Sequence, residues 1–121
     1  MATPNLANVT SINGFTIAGA VTTSSVDIID VVADKLYKIN SIIIANIDGT
    51  SSATVTVSIS VDNGSNYYPI ASTVAIPADA TLVLIDKNSS IYLDETDLLR
   101  IVGSAAGDLV YTVSGEILDD A

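Results

Sequence analysis

The chain has 121 residues, 49% of them hydrophobic but only 5% aromatic, and it contains no cysteine, histidine or tryptophan. Those absences argue against a disulfide framework, thiolate chemistry, and zinc, copper or haem sites, and they remove the usual general base. The formal net charge of −10, from 14 acidic and 4 basic residues, disfavours nucleic acid and anionic membrane surfaces alike.

At this length one domain is expected, with a core of Val, Ile, Leu and Ala. The opening "MATPNLANVT" is polar, holds Pro4, and lacks the basic region and apolar run of a secretory signal. Residues 1–10 are expected to form an N-terminal arm and residues 11–121 a single β-sandwich domain. No aliphatic run approaches the roughly 20 residues of a membrane helix. Mean hydropathy is nonetheless +0.53. A large subunit interface would account for that, as would strands whose exposed faces are hydroxyl rather than charged.

The period is two almost throughout. "NVTSI" and "GFTIAGAV" read as two strands broken at Asn13-Gly14, and "SVDIIDVV" as the next. In "LYKINSIIIANI", Tyr37, Ile39, Ser41, Ile43 and Ala45 alternate with Lys38, Asn40, Ile42, Ile44 and Asn46. Both faces turn apolar toward its end, as in a central strand. Asp48-Gly49 then signals a hairpin into "ATVTVSISV". There Val55, Val57, Ile59 and Val61 face the core, and Thr54, Thr56, Ser58 and Ser60 face outward. "YYPIAS" is an edge strand because it holds Pro69. "TLVLID", "SIYL", "LLRIVG" and "LVYTVSGEIL" complete the set, and the chain ends in the acidic "LDDA". The sum is an all-β, single-domain antiparallel β-sandwich, jelly-roll-like or Ig-like, of about eight or nine short strands.

Chemistry has few candidates. Lys87 in "DKNSS" has serines nearby but reads as a turn lysine. Asp94, Glu95 and Asp97 cluster as glycosidase carboxylates would, yet read as an acidic turn, with Arg100 as an ion-pair partner. Calcium needs only oxygen ligands, and Asp62, Asn63 and Asn66 supply a fragment of such a loop. Asn63-Gly64 suits the centre of a type I′ turn, which makes the stretch a hairpin tip. No cofactor and no metal is expected, and no nucleophile–base pair can be named, so the chain reads as a non-enzyme. Candidate protein-contact residues are Tyr67 and Tyr68 beside the turn, with Thr54, Thr56 and Ser58 on the hydroxyl face.

The segments "YKINSIIIANIDGT", "IPADATLVLIDK", "IYLDETDLLRI" and "DLVYTVSGEI" together span Tyr37 to Ile117. In them the chain resembles small virion structural proteins of tailed phages, particularly phages of marine bacteria and cyanobacteria. The resemblance implies a capsid decoration (cement) protein in the virion, assembled in the host cytoplasm. Its partners would be the major capsid protein or other virion proteins, and it would be a homo-oligomer, a trimer by preference. The alternative is a neck or tail-fibre component, including a receptor- or glycan-binding module that uses exposed tyrosines.

Overall fold

The computed structural model describes residues 3–120. The first two residues of the expected arm and the last residue of the acidic tail lie outside them. Nine strands follow a 3-10 turn at Leu6–Asn8: β1 (Ser11–Ala20), β2 (Val26–Asp30), β3 (Lys35–Asn46), β4 (Ala53–Ser60), β5 (Tyr68–Ile76), β6 (Thr81–Ile85), β7 (Ile91–Leu93), β8 (Leu98–Gly103) and β9 (Leu109–Asp119). They form two sheets. One has the order β1-β9-β3-β6, with β7 also pairing β3, and the other has the order β2-β8-β4-β5. Every pairing is antiparallel. With β7 set aside, the order is that of a jelly roll, two four-stranded sheets built from Greek-key connections.

The core lies between the sheets. Ile39, Ile42, Ile44, Leu109 and Val113 of the first sheet meet Val55, Val57, Leu99 and Ile101 of the second, all essentially inaccessible to water. These are β-branched or Leu side chains, which suits a pleated surface and leaves no polar atom to satisfy.

Four features depart from the sequence reading. First, Asn13-Gly14 does not break the N-terminal strand: β1 runs unbroken, in regular register with β9, from Ser11↔Asp119 to Ala20↔Val110. Second, Asp48-Gly49 does not close a hairpin, because β3 and β4 belong to different sheets. The turn is held by buried Asn46, whose Nδ2 donates to Ser51 O (3.0 Å) and Ile76 O (2.9 Å) while its Oδ1 accepts from the Asp48 amide (2.9 Å). That side chain redirects the backbone across the sandwich.

Third, the alternation in β3 slips. The register against β9 shifts between Ile39 and Ser41, so Ile39 and then Ile42, Ile44 and Asn46 face inward. Ser41, Ile43 and Ala45 are left on the outer face. The irregularity coincides with Gly115 of β9, where an added Cβ would overlap the Lys38 carbonyl oxygen and come within 3.2 Å of the Asn40 nitrogen. Only a residue without a side chain lets the two backbones approach that closely.

Fourth, the two faces of β4 are less contrasted than the pattern predicts. Val55 and Val57 are fully buried, but Ile59 is only half-buried, and Val61 lies beyond the strand and is 60% exposed. Conversely Ser58 and Ser60, expected in solvent, are buried. Ser60 sits under the loop that follows β4, where its hydroxyl donates to Asp62 Oδ1 (2.9 Å) and accepts from the Gly64 amide (2.8 Å).

Candidate functional site

β4 and β5 form the one hairpin between consecutive strands among the described residues. Its loop adopts the turn expected of it, with φ of +59° at Asn63 and +86° at Gly64. The carboxylate of Asp62 is spent inside this loop. Its Oδ1 accepts from the Asn66 amide (2.9 Å) and from Ser60, and its Oδ2 accepts from Asn66 Nδ2 (2.8 Å). Hydrogen bonds from Asn66, chiefly from its side chain, hold the Asp62 pKa below the usual carboxylate value. Asn66 thus presents its nitrogen to Asp62, and Asn63 serves the turn through its positive φ.

Tyr67 turns back onto the second sheet. The Arg100 guanidinium lies over its ring, 3.6 Å from the centroid. Its hydroxyl donates to Asp27 Oδ1 (3.0 Å), which also accepts from Arg100 Nε (3.0 Å). Burial first, and then the bond to Asp27, push the Tyr67 phenol pKa up. The three residues join the hairpin loop, β8 and β2 on the outer face of that sheet. Arg100 therefore pairs with Asp27, across from β2, and not with the acidic turn that precedes it. Tyr68, on edge strand β5, points to solvent and is 56% exposed. Thr54 is half-buried. Thr56 is half-buried and accepts the Thr73 amide on its hydroxyl (2.9 Å) at an irregularity in β5, and Ser58 is buried opposite Arg100.

The acidic turn at Asp94–Asp97 is structural. Asp97 is buried, and its Oδ2 accepts the Asp94 amide (2.8 Å), while Glu95 accepts the Asp34 amide (2.9 Å). Burial raises the Asp97 pKa. Lys87 is exposed in a turn whose hydroxyl and amide groups are gathered by Asp86. Among the described residues no three His, Cys, Asp or Glu side chains come together as metal ligands would.

The surface that sequence reasoning missed is the outer face of the first sheet. The register places Thr16, Ala18 and Ala20 of β1 beside Ser114, Thr112 and Val110 of β9. Those lie beside Ser41, Ile43 and Ala45 of β3, with Thr81 and Val83 of β6 beyond. None of these residues is charged, and Val83 is 59% exposed. Among the strand residues of this face, the charges are confined to its other end, where Lys38 lies opposite Glu116. A chain of net charge −10 has thus kept a four-strand-wide neutral surface. The missed signal is the slip at Asn40, which moves Ile43 and Ala45 from the inner to the outer face.

No protein-family model matches the sequence, and no curated protein matches it either. Solved structures do share the fold. A chain of the Bacillus endospore appendages, described as disulfide-linked pili, superposes with a TM-score of 0.56 at 15% identity, covering 100% of this chain and 98% of that one. A chain of the T13 IBDV viral particle gives 0.50 at 9% identity, covering 98% of this chain and 35% of that one. This chain therefore spans about a third of the viral-particle chain. A pentameric capsid protein isolated from metagenomic phage sequences gives 0.42 at 15% identity, covering 87% of this chain and 62% of that one. The first two likenesses support the β-sandwich fold. The cross-link named for the pili has no counterpart in a sequence without cysteine.

Proposed function

We propose that the protein is a non-enzymatic structural component of a phage virion, specifically a capsid decoration protein that binds and stabilises neighbouring coat subunits. The observation that carries this reading is the neutral outer face of the β1-β9-β3-β6 sheet. Desolvating Thr, Ser, Ala and aliphatic side chains costs far less than desolvating carboxylates. A face of this composition suits contact with another protein, and the acidic turns stay in water. Each such contact is modest, and many on one lattice add up by multivalency. The strand-and-turn resemblance over Tyr37 to Ile117 and the fold shared with a viral-particle chain support the same reading.

The test is copy number per particle, by quantitative mass spectrometry of purified virions against the major coat protein. Hundreds of copies, near stoichiometric with the coat, are expected. A handful per particle would reject decoration and favour a neck or tail part, for which exposed Tyr68 and Tyr92 would be the aromatic contacts.

A further inference from the structure

Each sheet of an open sandwich ends in strands with unpaired backbone groups, and proteins blunt such edges with short strands, charge, proline or bulges. Three of the four edges here are blunted. β2 has five residues, two of them aspartates, and a register irregularity between Asp27 and Ile29. β5 carries Pro69, two irregularities, and Thr73 at φ +46°. β6 and β7 have only five and three residues. The fourth edge, β1, has ten residues in regular register, with no proline, no charge and no bulge.

We infer that β1 pairs antiparallel with β1 of a second copy, joining two sandwiches through one continuous sheet. The backbone fixes the register. Val21 N–H donates to Leu109 O (2.9 Å) at the end of the β1–β9 ladder. Carried back along the strand, this alternation turns the odd-numbered residues toward β9. Ile12, Gly14, Thr16, Ala18 and Ala20 then direct their N–H and C=O groups to the free edge. One two-fold register engages all five, with Thr16 opposite its own copy, Gly14 opposite Ala18, and Ile12 opposite Ala20. The same register sets Phe15 opposite Ile17 twice, as close non-hydrogen-bonded pairs on the inner face. An aromatic beside a β-branched residue is a favourable cross-strand pair.

Two further observations select this partner. Phe15 and Ile17 are half-buried and line a cleft of about 310 Å³ between the β1 and β2 edges. A second copy would cover the β1 side of that cleft. The cleft's one carboxylate, Asp30, belongs to β2. The acidic groups near β1 gather at one end, where Ser11 and Thr10 hydrogen-bond Asp119 and Asp120. Antiparallel pairing sets that end beside the less acidic Ala20 end of the other copy, where Asp108 immediately precedes β9, whereas parallel pairing would set the two most acidic ends side by side. The geometry therefore gives a two-fold dimer in place of the trimer implied by the resemblance, and it needs no virion partner.

The test uses the purified full chain. Native mass spectrometry is expected to give a dimer, twice the 12.4 kDa chain mass. Thr16→Cys, in a chain without other cysteines, is expected to cross-link on oxidation, since directly opposed strand residues fall within disulfide reach. Thr112→Cys, one strand further in and level with Ala18, would stand about 20 Å from its copy, across three strand spacings and four residues along the strand, and is expected not to cross-link. Thr16→Pro removes an outward N–H without touching the β9 ladder, so it is expected to lose the dimer and keep the strand circular dichroism. A monomer, a trimer, or a dimer that Thr16→Cys fails to cross-link would overturn the proposal. If Thr16→Pro does not fold, the two cysteine variants decide alone.

Discussion

Gly115→Ala is the substitution on which the account of the first sheet depends most. Alanine normally favours an ordered backbone over glycine, because it restricts the unfolded chain. Here the added methyl would overlap the Lys38 carbonyl oxygen and lie 3.0 Å from its carbon and 3.2 Å from the Asn40 nitrogen. Those atoms are backbone of β3, the strand that pairs with β9, β6 and β7, so they cannot swing aside as a flexible side chain would. One extra methyl in a packed interior costs about 1–3 kcal/mol. Moving the Lys38 carbonyl also weakens ladder hydrogen bonds worth about 1 kcal/mol each. A loss of about 3 kcal/mol is expected, which for a domain of this size lowers Tm by about 10 °C. Gly49→Ala is the control: its added Cβ would meet nothing nearer than Asp79 Oδ2 at 3.6 Å, so its Tm should stay near wild type. Thermal melts followed by circular dichroism, at one fixed protein concentration, measure both. A Gly115→Ala protein melting with wild type would refute the close approach and, with it, the slip that sends Ile43 and Ala45 to the outer face.

Val57→Asp buries an unpaired charge at a fully inaccessible site and should abolish folding, while Val61→Asp, 60% exposed, should leave Tm nearly unchanged; expression and melting of the pair check this. Lys35 first, and then Ser11, hold the Asp119 pKa below its ordinary value. Such a carboxylate contributes stability that is present above the unfolded pKa near 3.8 and is lost as pH falls through the lower folded one. Asp119→Asn should therefore melt below wild type at pH 7, and the gap should close in strong acid. Self-association should strengthen from low to physiological salt, because screening reduces repulsion between copies of net charge −10; sedimentation at two ionic strengths reads this directly. Thr112→Glu should fold normally and fail to enter particles, which a co-purification assay with intact virions would show.

Most of the fold was legible because β-branched residues at period two state both the element and its buried face. Val55 and Val57 lie where that pattern puts them, and Pro69 marked an edge strand correctly. The errors share one cause: local signals do not say what a segment meets elsewhere in the sheets. Asp48-Gly49 has hairpin chemistry, but the hydrogen bonds of buried Asn46 to Ser51 and Ile76 carry the chain to the other sheet. Asn13-Gly14 has it too, yet its backbone stays extended opposite Ile117 and Glu116. In β3 a clue was present, since Ile39 and Ile42 are three apart where an unbroken strand needs two. Its meaning depended on Gly115, more than 70 positions away in sequence and adjacent only in the sheet.

The contact surface was less legible for a related reason. Alternating hydroxyls identify an outward face but not whether the molecule covers that face itself. Thr54, Thr56 and Ser58 look available in the sequence, yet they lie on the sheet whose outer side carries the linked Tyr67, Arg100 and Asp27 side chains, and Thr56 is engaged by the Thr73 amide. The opposite sheet carries similar hydroxyls at Thr16, Thr112 and Ser114, with no charged group among their register neighbours. Its edge strand is also the one edge without charge, proline or bulge. Face and edge are then two separable surfaces on a single sheet: the backbone of β1 can pair with a copy while the outer side chains of β9 and β3 remain open to a different partner. Thr16→Pro and Thr112→Glu separate them. The first should remove self-pairing and leave the broad face intact, and the second should block attachment and leave the dimer. A single defect shared by both variants would mean that one surface does both jobs.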